Sequence, residues 1–232
     1  PLLFTWPSRG RLLAYTYDRE SANYSRDAME GILQALAAEP SVKEVSILAH
    51  SMGNWVTLEA LRQMAIRNRR VAPKIRNVML AAPDVDVEVA RTQIAGMGPQ
   101  RPHFTLFTSQ DDRALAFSRR LWGSTARLGA INPAEEPYRT ALKRYNIDAY
   151  DITNERGIDG LNHGKFAESP DVVRFIGAQL ATGQEITSRG AGLGDQIGVL
   201  VAGAASTVGT AATIAVSAPI AIVDPRTRDN LT

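Results

Sequence analysis

A short apolar run, Val45-Ser46-Ile47-Leu48-Ala49, leads directly into His50-Ser51-Met52-Gly53-Asn54 and then into a stretch with helical spacing. Five such residues ended by a turn signal read as a strand buried on both faces. Residues 53–68 read as a helix, with Arg67, Arg69 and Arg70 near its end, where cations suit the helix dipole. A strand passes into a helix this abruptly only through a tight corner. The positions two before and two after the apex must then be small, and Ala49 and Gly53 are. Glycine is commoner at the first of these positions, but a methyl group is tolerable there. Ser51, at the apex, is forced into a strained backbone conformation with its hydroxyl at the helix N-terminus.

The same alternation runs along the chain. Residues 2–6 read as an apolar strand ended by the turn Pro7-Ser8-Arg9-Gly10. In 19–38 the residues Ala22, Met29, Ile32, Leu33, Leu36 and Ala37 recur at helical spacing, and Pro40 stops the helix. Strands follow at 78–82, 104–108 and, more weakly, 147–152. Helices are expected at 113–122 and 171–180, the latter started by Ser169-Pro170. Strands interleaved with helices predict an α/β fold, a mostly parallel sheet covered on both faces.

Composition narrows the function. With 44% hydrophobic and 22% charged residues among 232, the chain as a whole is not disordered. A net charge of +2, with no basic run interleaved with aromatics, argues against a nucleic-acid partner. The absence of cysteine removes thiol nucleophiles, disulfides and thiolate metal sites, and no cofactor or metal is expected. No signal peptide or initiating Met is visible. A chain that opens inside a strand reads as trimmed at its N-terminus.

A serine presented at a helix N-terminus suits nucleophilic catalysis, because the dipole and free N–H groups favour developing negative charge. The Met52 N–H is the expected oxyanion donor. The base and its acid should follow in the order Ser, acid, His. Of the three histidines, His50 adjoins the serine and reads as a packing residue turned away by the corner. His103 begins a strand, ahead of most carboxylate candidates, and reads as structural. His163, in Gly160-Leu161-Asn162-His163-Gly164 between the last strand and last helix, is left as the general base. The bland alternatives are a solvated loop histidine and an ordinary small-residue turn at 49–53. Asp112, just before a helix, is the chosen acid. Asp111 could exchange roles with it as the helix cap, and Asp84, past the preceding strand, is a third candidate. Arg9, Arg11, Tyr15, Asp18 and Arg19 read as a solvated face and a helix cap.

Five blocks together resemble a bacterial α/β-hydrolase family of unknown function. They are Phe4-Thr5-Trp6-Pro7-Ser8-Arg9-Gly10, Tyr17-Asp18-Arg19-Glu20-Ser21-Ala22, Ala49-His50-Ser51-Met52-Gly53-Asn54, Ala81-Ala82-Pro83-Asp84-Val85-Asp86 and Asn162-His163-Gly164. The resemblance covers residues 2 to about 182. It implies an α/β-hydrolase fold, a triad of Ser51, Asp112 and His163, and hydrolysis of an ester, lipid or other acyl substrate. Its members resemble other α/β hydrolases in an earlier strand whose His-Gly-type loop supplies a second oxyanion N–H. Nothing before Ser51 matches that loop, so the chain is expected to lack its N-terminal strands. Losing one such donor costs on the order of 3 kcal/mol in the transition state, so weak or no activity is expected.

Two regions are therefore expected: a hydrolase domain over 1–182 and a Gly/Ala/Ser-rich tail over 183–232. Within the tail, 196–223 holds no charge between Asp195 and Asp224, and a bilayer needs roughly 20 apolar residues. Membrane insertion, a flexible tail and a small-residue helix packed on the domain or a partner are all open readings. The compartment is unassigned, with association to a bacterial membrane as one reading. The function expected is a serine esterase or lipase-like acyl hydrolase acting on a small ester or lipid. A non-catalytic, membrane-associated module of the same fold is the alternative. Acyl transfer to an alcohol or amine would use the same triad.

Overall fold

The computed structural model describes residues 1–121 and 125–182. The 183–232 tail, with its uncharged 196–223 segment, lies outside the described residues. No described helix is long and apolar enough to cross a membrane.

Four strands form one sheet in the order β1 (Val45–His50), β2 (Ile75–Ala81), β3 (His103–Thr108) and β4 (Ile147–Asp151). Every neighbouring pair is parallel, with Leu80 of β2 aligned to Ala49 of β1 and to Leu106 of β3. The helices are α1 (Tyr15–Ala38), α2 (Gly53–Asn68), α3 (Val87–Gly96), α4 (Arg113–Leu121), α5 (Tyr138–Tyr145), α6 (Lys165–Glu168) and α7 (Pro170–Thr182). The α/β reading thus holds. Three helices, α3, α5 and α6, lie outside the expected set. For α3 the signal was present, since Asp86 caps it by accepting from the N–H groups of Glu88 and Val89.

Strand alternation divides the core into two layers. On one face Ile47, Val78, Leu80, Phe104, Leu106 and Ala149 pack with Leu33 of α1, Leu58 of α2 and Ile94 of α3. On the other, Met79, Phe107 and Tyr150 meet Val172 and Ile176 of α7. This second layer draws on β2, β3 and β4, not on β1, so Leu48 of β1 stays 42% exposed.

Residues 2–6 do not form the expected strand. A strand needs a neighbour for its N–H and C=O groups, and this segment pairs with no strand among the described residues. Leu2 and Leu3 are largely exposed, while Phe4 and Trp6 reach the core. Residues 1–6 and β1 line a shared cavity of about 780 Å³. Neither Ser51 nor His163 borders that cavity, although His50 and Gly53, on either side of the serine corner, do.

One close approach braces the sheet's C-terminal edge. Gly129 donates its N–H to the Pro83 carbonyl and accepts from the Ser109 N–H, lacing the ends of β2 and β3 together. A β-carbon at Gly129 would stand 2.6 Å from the backbone of both Ala82 and Pro83. Gly129→Ala is therefore expected to destabilise by roughly 3 kcal/mol, the upper end of overpacking costs. A drop in melting temperature of about 6–12 °C would follow for a chain of this size. An unchanged melt would show that the backbone at Ala82 and Pro83 yields freely.

Candidate active site

At the β1–α2 corner Ser51 adopts φ 52°, the left-handed region that a side chain makes costly. Such strain, about 1–3 kcal/mol, persists only where surrounding bonds hold it. Here they do. The Ser51 N–H donates to the Ala81 carbonyl at 3.0 Å, and its carbonyl accepts from the N–H groups of Asn54 and Asp84. The Asn54 side-chain amide donates to the carbonyls of both Ser51 and Ala81, at 2.9 and 3.0 Å. Asn54 is fully buried. Its part in clamping the corner was missed from sequence, although a polar residue in the first turn of an apolar helix was a signal. Ala49 is buried, and a β-carbon at Gly53 would lie 3.3 Å from the Trp6 ring, which shows why both flanks are small.

His163 lies in the loop between β4 and α6. Its Nδ1 is 2.7 Å from Asp112 Oδ2, and the Asp112 side chain is wholly buried. The other oxygen, Oδ1, accepts from the Leu115 N–H at 2.9 Å, so Asp112 also caps α4. A carboxylate at Nδ1 makes that nitrogen the donor and leaves Nε2 with a free lone pair in the neutral ring. Below it, Asp159 accepts from the backbone N–H groups of His163 and Gly164.

The other two carboxylates are engaged elsewhere. Asp84 accepts from the Tyr15 hydroxyl at 2.5 Å and the Ser118 hydroxyl at 2.7 Å, with Arg127 Nε at 3.5 Å. Burial, and then Asp84, push the Tyr15 phenol above its ordinary range. Asp111 accepts from Lys165 Nζ, the Ser109 hydroxyl and the Asn162 amide. His103 pairs with Asp148 on the neighbouring strand, away from the corner. Asp18 accepts from the Arg9 and Gly10 N–H groups and so ties the 8–10 turn to α1.

The Ser51 hydroxyl makes no hydrogen bond among the described residues, to His163 or to any other group. The two residues are linked through His50, whose ring lies 4.7 Å from that of His163. The Met52 N–H, at the start of α2, likewise donates to no described group. Among the described residues no cluster of three or more acidic or histidine side chains could hold a metal ion.

A strained serine at a strand–helix corner, in a parallel sheet ending in an Asp–His pair, points to one superfamily of folds. The family model described as "Alpha/beta hydrolase of unknown function (DUF900)" matches residues 1–182. The chain belongs to this family. It is also similar to the "Uncharacterized protein alr1448" of Nostoc sp., with 22% identity over 227 aligned residues, covering 75% of this chain. The chain spans 57% of that relative's length. No solved structure is significantly similar to it.

In this α/β hydrolase the His163 loop is latched from beneath. Lys165, 2% exposed, donates to both Asp111 oxygens at 2.7 and 2.9 Å and to the Thr153 carbonyl at 2.6 Å. Burial alone would raise Asp111, but the hydrogen bonds from Lys165 and Ser109 outweigh it and hold the carboxyl below its ordinary value. A carboxyl lowered in the folded state stabilises above its unfolded pKa, near 4, and loses that contribution as pH falls through the folded value. Lys165→Met is thus expected to cost roughly 2 kcal/mol at pH 7, a typical charged hydrogen-bond loss at a half-exposed acid. Paired thermal melts should show the gap between wild type and variant narrowing below about pH 4. A gap independent of pH would assign the cost to lost packing instead.

Proposed function

We propose that this α/β hydrolase is a serine hydrolase of the esterase or lipase type, working through an acyl-enzyme. The reading rests on one observation above the others: the Asp112–His163 pair orients an imidazole with a free Nε2 beside the strained corner that carries Ser51. In this scheme His163 Nε2 takes the Ser51 proton as Oγ attacks the ester carbonyl carbon. The carbonyl electron pair moves onto oxygen, and the oxyanion meets the Met52 N–H at the dipole end of α2. Asp112 stabilises the imidazolium, which then protonates the leaving alkoxide. Water, deprotonated by the same histidine, hydrolyses the acyl-enzyme and restores Ser51.

A fluorophosphonate carrying a fluorophore tests the proposal. Wild-type protein is expected to be labelled, with the adduct on the peptide containing Ser51, and Ser51→Ala to remain unlabelled. Unlabelled wild type, or an adduct at another serine, would overturn it.

A further inference from the structure

We infer that His50 is a positioning residue for the general base, an inference that rests on the serine-hydrolase reading above. His50 is the last residue of β1 and immediately precedes the nucleophile. Its ring is not turned away from the site. It packs 4.7 Å from the His163 ring at 45° and 4.5 Å from the Phe166 ring at 33°. Its Nε2 stands 3.3 Å from the His163 backbone carbonyl. A carbonyl oxygen can only accept, so this contact requires a proton on Nε2.

His163 is thereby held from several elements at once. Asp112, ahead of α4, holds Nδ1, and Asp159 holds the backbone N–H. His50, from β1, holds the carbonyl and one flank of the ring. Phe166 of α6 backs His50 in turn. The charged groups facing this pair are Asp112 and Asp159, with the Lys165–Asp111 ion pair beneath the loop. Desolvation by its neighbours, and then His163 itself, hold His50 below the ordinary histidine range, although part of the residue remains exposed. An exposed imidazole at or below the ordinary histidine value near 6.5 is mainly neutral at pH 7.

Neutrality is what the reaction needs at this position. When His163 takes the serine proton it becomes a cation, and a second cation 4.7 Å away would oppose that step. A neutral ring with one N–H donor can fix the base without that opposition. Because His50 touches no substrate in this scheme, its contribution belongs in kcat and in the pH profile rather than in KM.

The test is a p-nitrophenyl ester assay across pH with the full chain and three variants, each first checked by thermal melting. Fluorophosphonate labelling of wild-type Ser51 is run alongside. His50→Ala is expected to lower kcat about 10- to 100-fold, the range for a misplaced catalytic group, with little change in KM. His50→Gln, which keeps an N–H donor, should recover part of that loss. His50→Lys should move the acid limb of the rate profile to lower pH by about one unit, because a fixed cation disfavours the imidazolium. If wild type is labelled but the three variants share its kcat and its acid limb, the inference fails and the serine-hydrolase reading stands. If wild type is neither labelled nor active, both fail.

Discussion

Ser51→Ala is expected to lower kcat for an activated ester by about 10⁶-fold, the loss seen when a triad nucleophile is removed. The fold should survive, because the hydroxyl makes no hydrogen bond among the described residues. The corner is held through backbone atoms and Asn54, and all of those contacts remain in the variant. Alanine does not relieve the left-handed conformation, so its melting temperature should match wild type. Ser51→Gly should be equally inactive yet more stable by roughly 1 kcal/mol, since glycine takes positive φ without steric cost. Activity retained in either variant would remove Ser51 from the chemistry. Strong destabilisation in both would instead make it a folding residue.

Asp112→Asn should be nearly as damaging, by about 10⁴-fold in kcat with KM little changed. The substitution is almost isosteric, and an oxygen can still accept from the Leu115 N–H, so α4 keeps its cap. What changes is the proton on His163. An amide N–H facing Nδ1 makes that nitrogen an acceptor, which places the ring proton on Nε2, where the base must be unprotonated. Asp84→Asn and Asp111→Asn leave the 2.7 Å Asp112–His163 contact intact. Each should therefore keep kcat within about tenfold of wild type, whatever it does to stability. If Asp84→Asn were the inactive one, the acid would have to be reassigned and the His163–Asp112 contact read as structural.

How much of this was legible beforehand depended on how local the cause was. The corner at 49–53 could be read from five residues, because a strand entering a helix at a serine leaves room only for small flanks. The carboxylates could not be ranked in that way. Asp111 and Asp112 are adjacent and precede the same helix, so pattern alone left their roles exchangeable. Their separation is a matter of direction: Asp112 points inward to His163 and Leu115, whereas Asp111 points to Lys165 and Asn162. Lys165 itself, a lone cation two residues past His163, gave no sign of being buried. The tight corner predicts a His50 ring turned away from the site, but the His163 loop folds back over the end of β1 and meets that ring.

The strand expected at residues 2–6 failed for a related reason. Apolar character marks a segment as able to join a sheet, but pairing also requires register and close approach: β1 is an edge strand, and residues 2–6 line a cavity beside it rather than pairing with it.

At the Ser51 corner, then, the sequence by itself determined the α/β alternation and the strained serine, and it left His163 as the expected base by exclusion. These follow from spacing, residue size and the small number of histidines, all of which act over a few positions. The tertiary structure alone decided which carboxylate meets that histidine, which lysine latches its loop and which second ring lies beside it. Those contacts join residues 51 to 113 positions apart, where side-chain direction is set by the packing of the sheet and its helices, not by the neighbours in the chain.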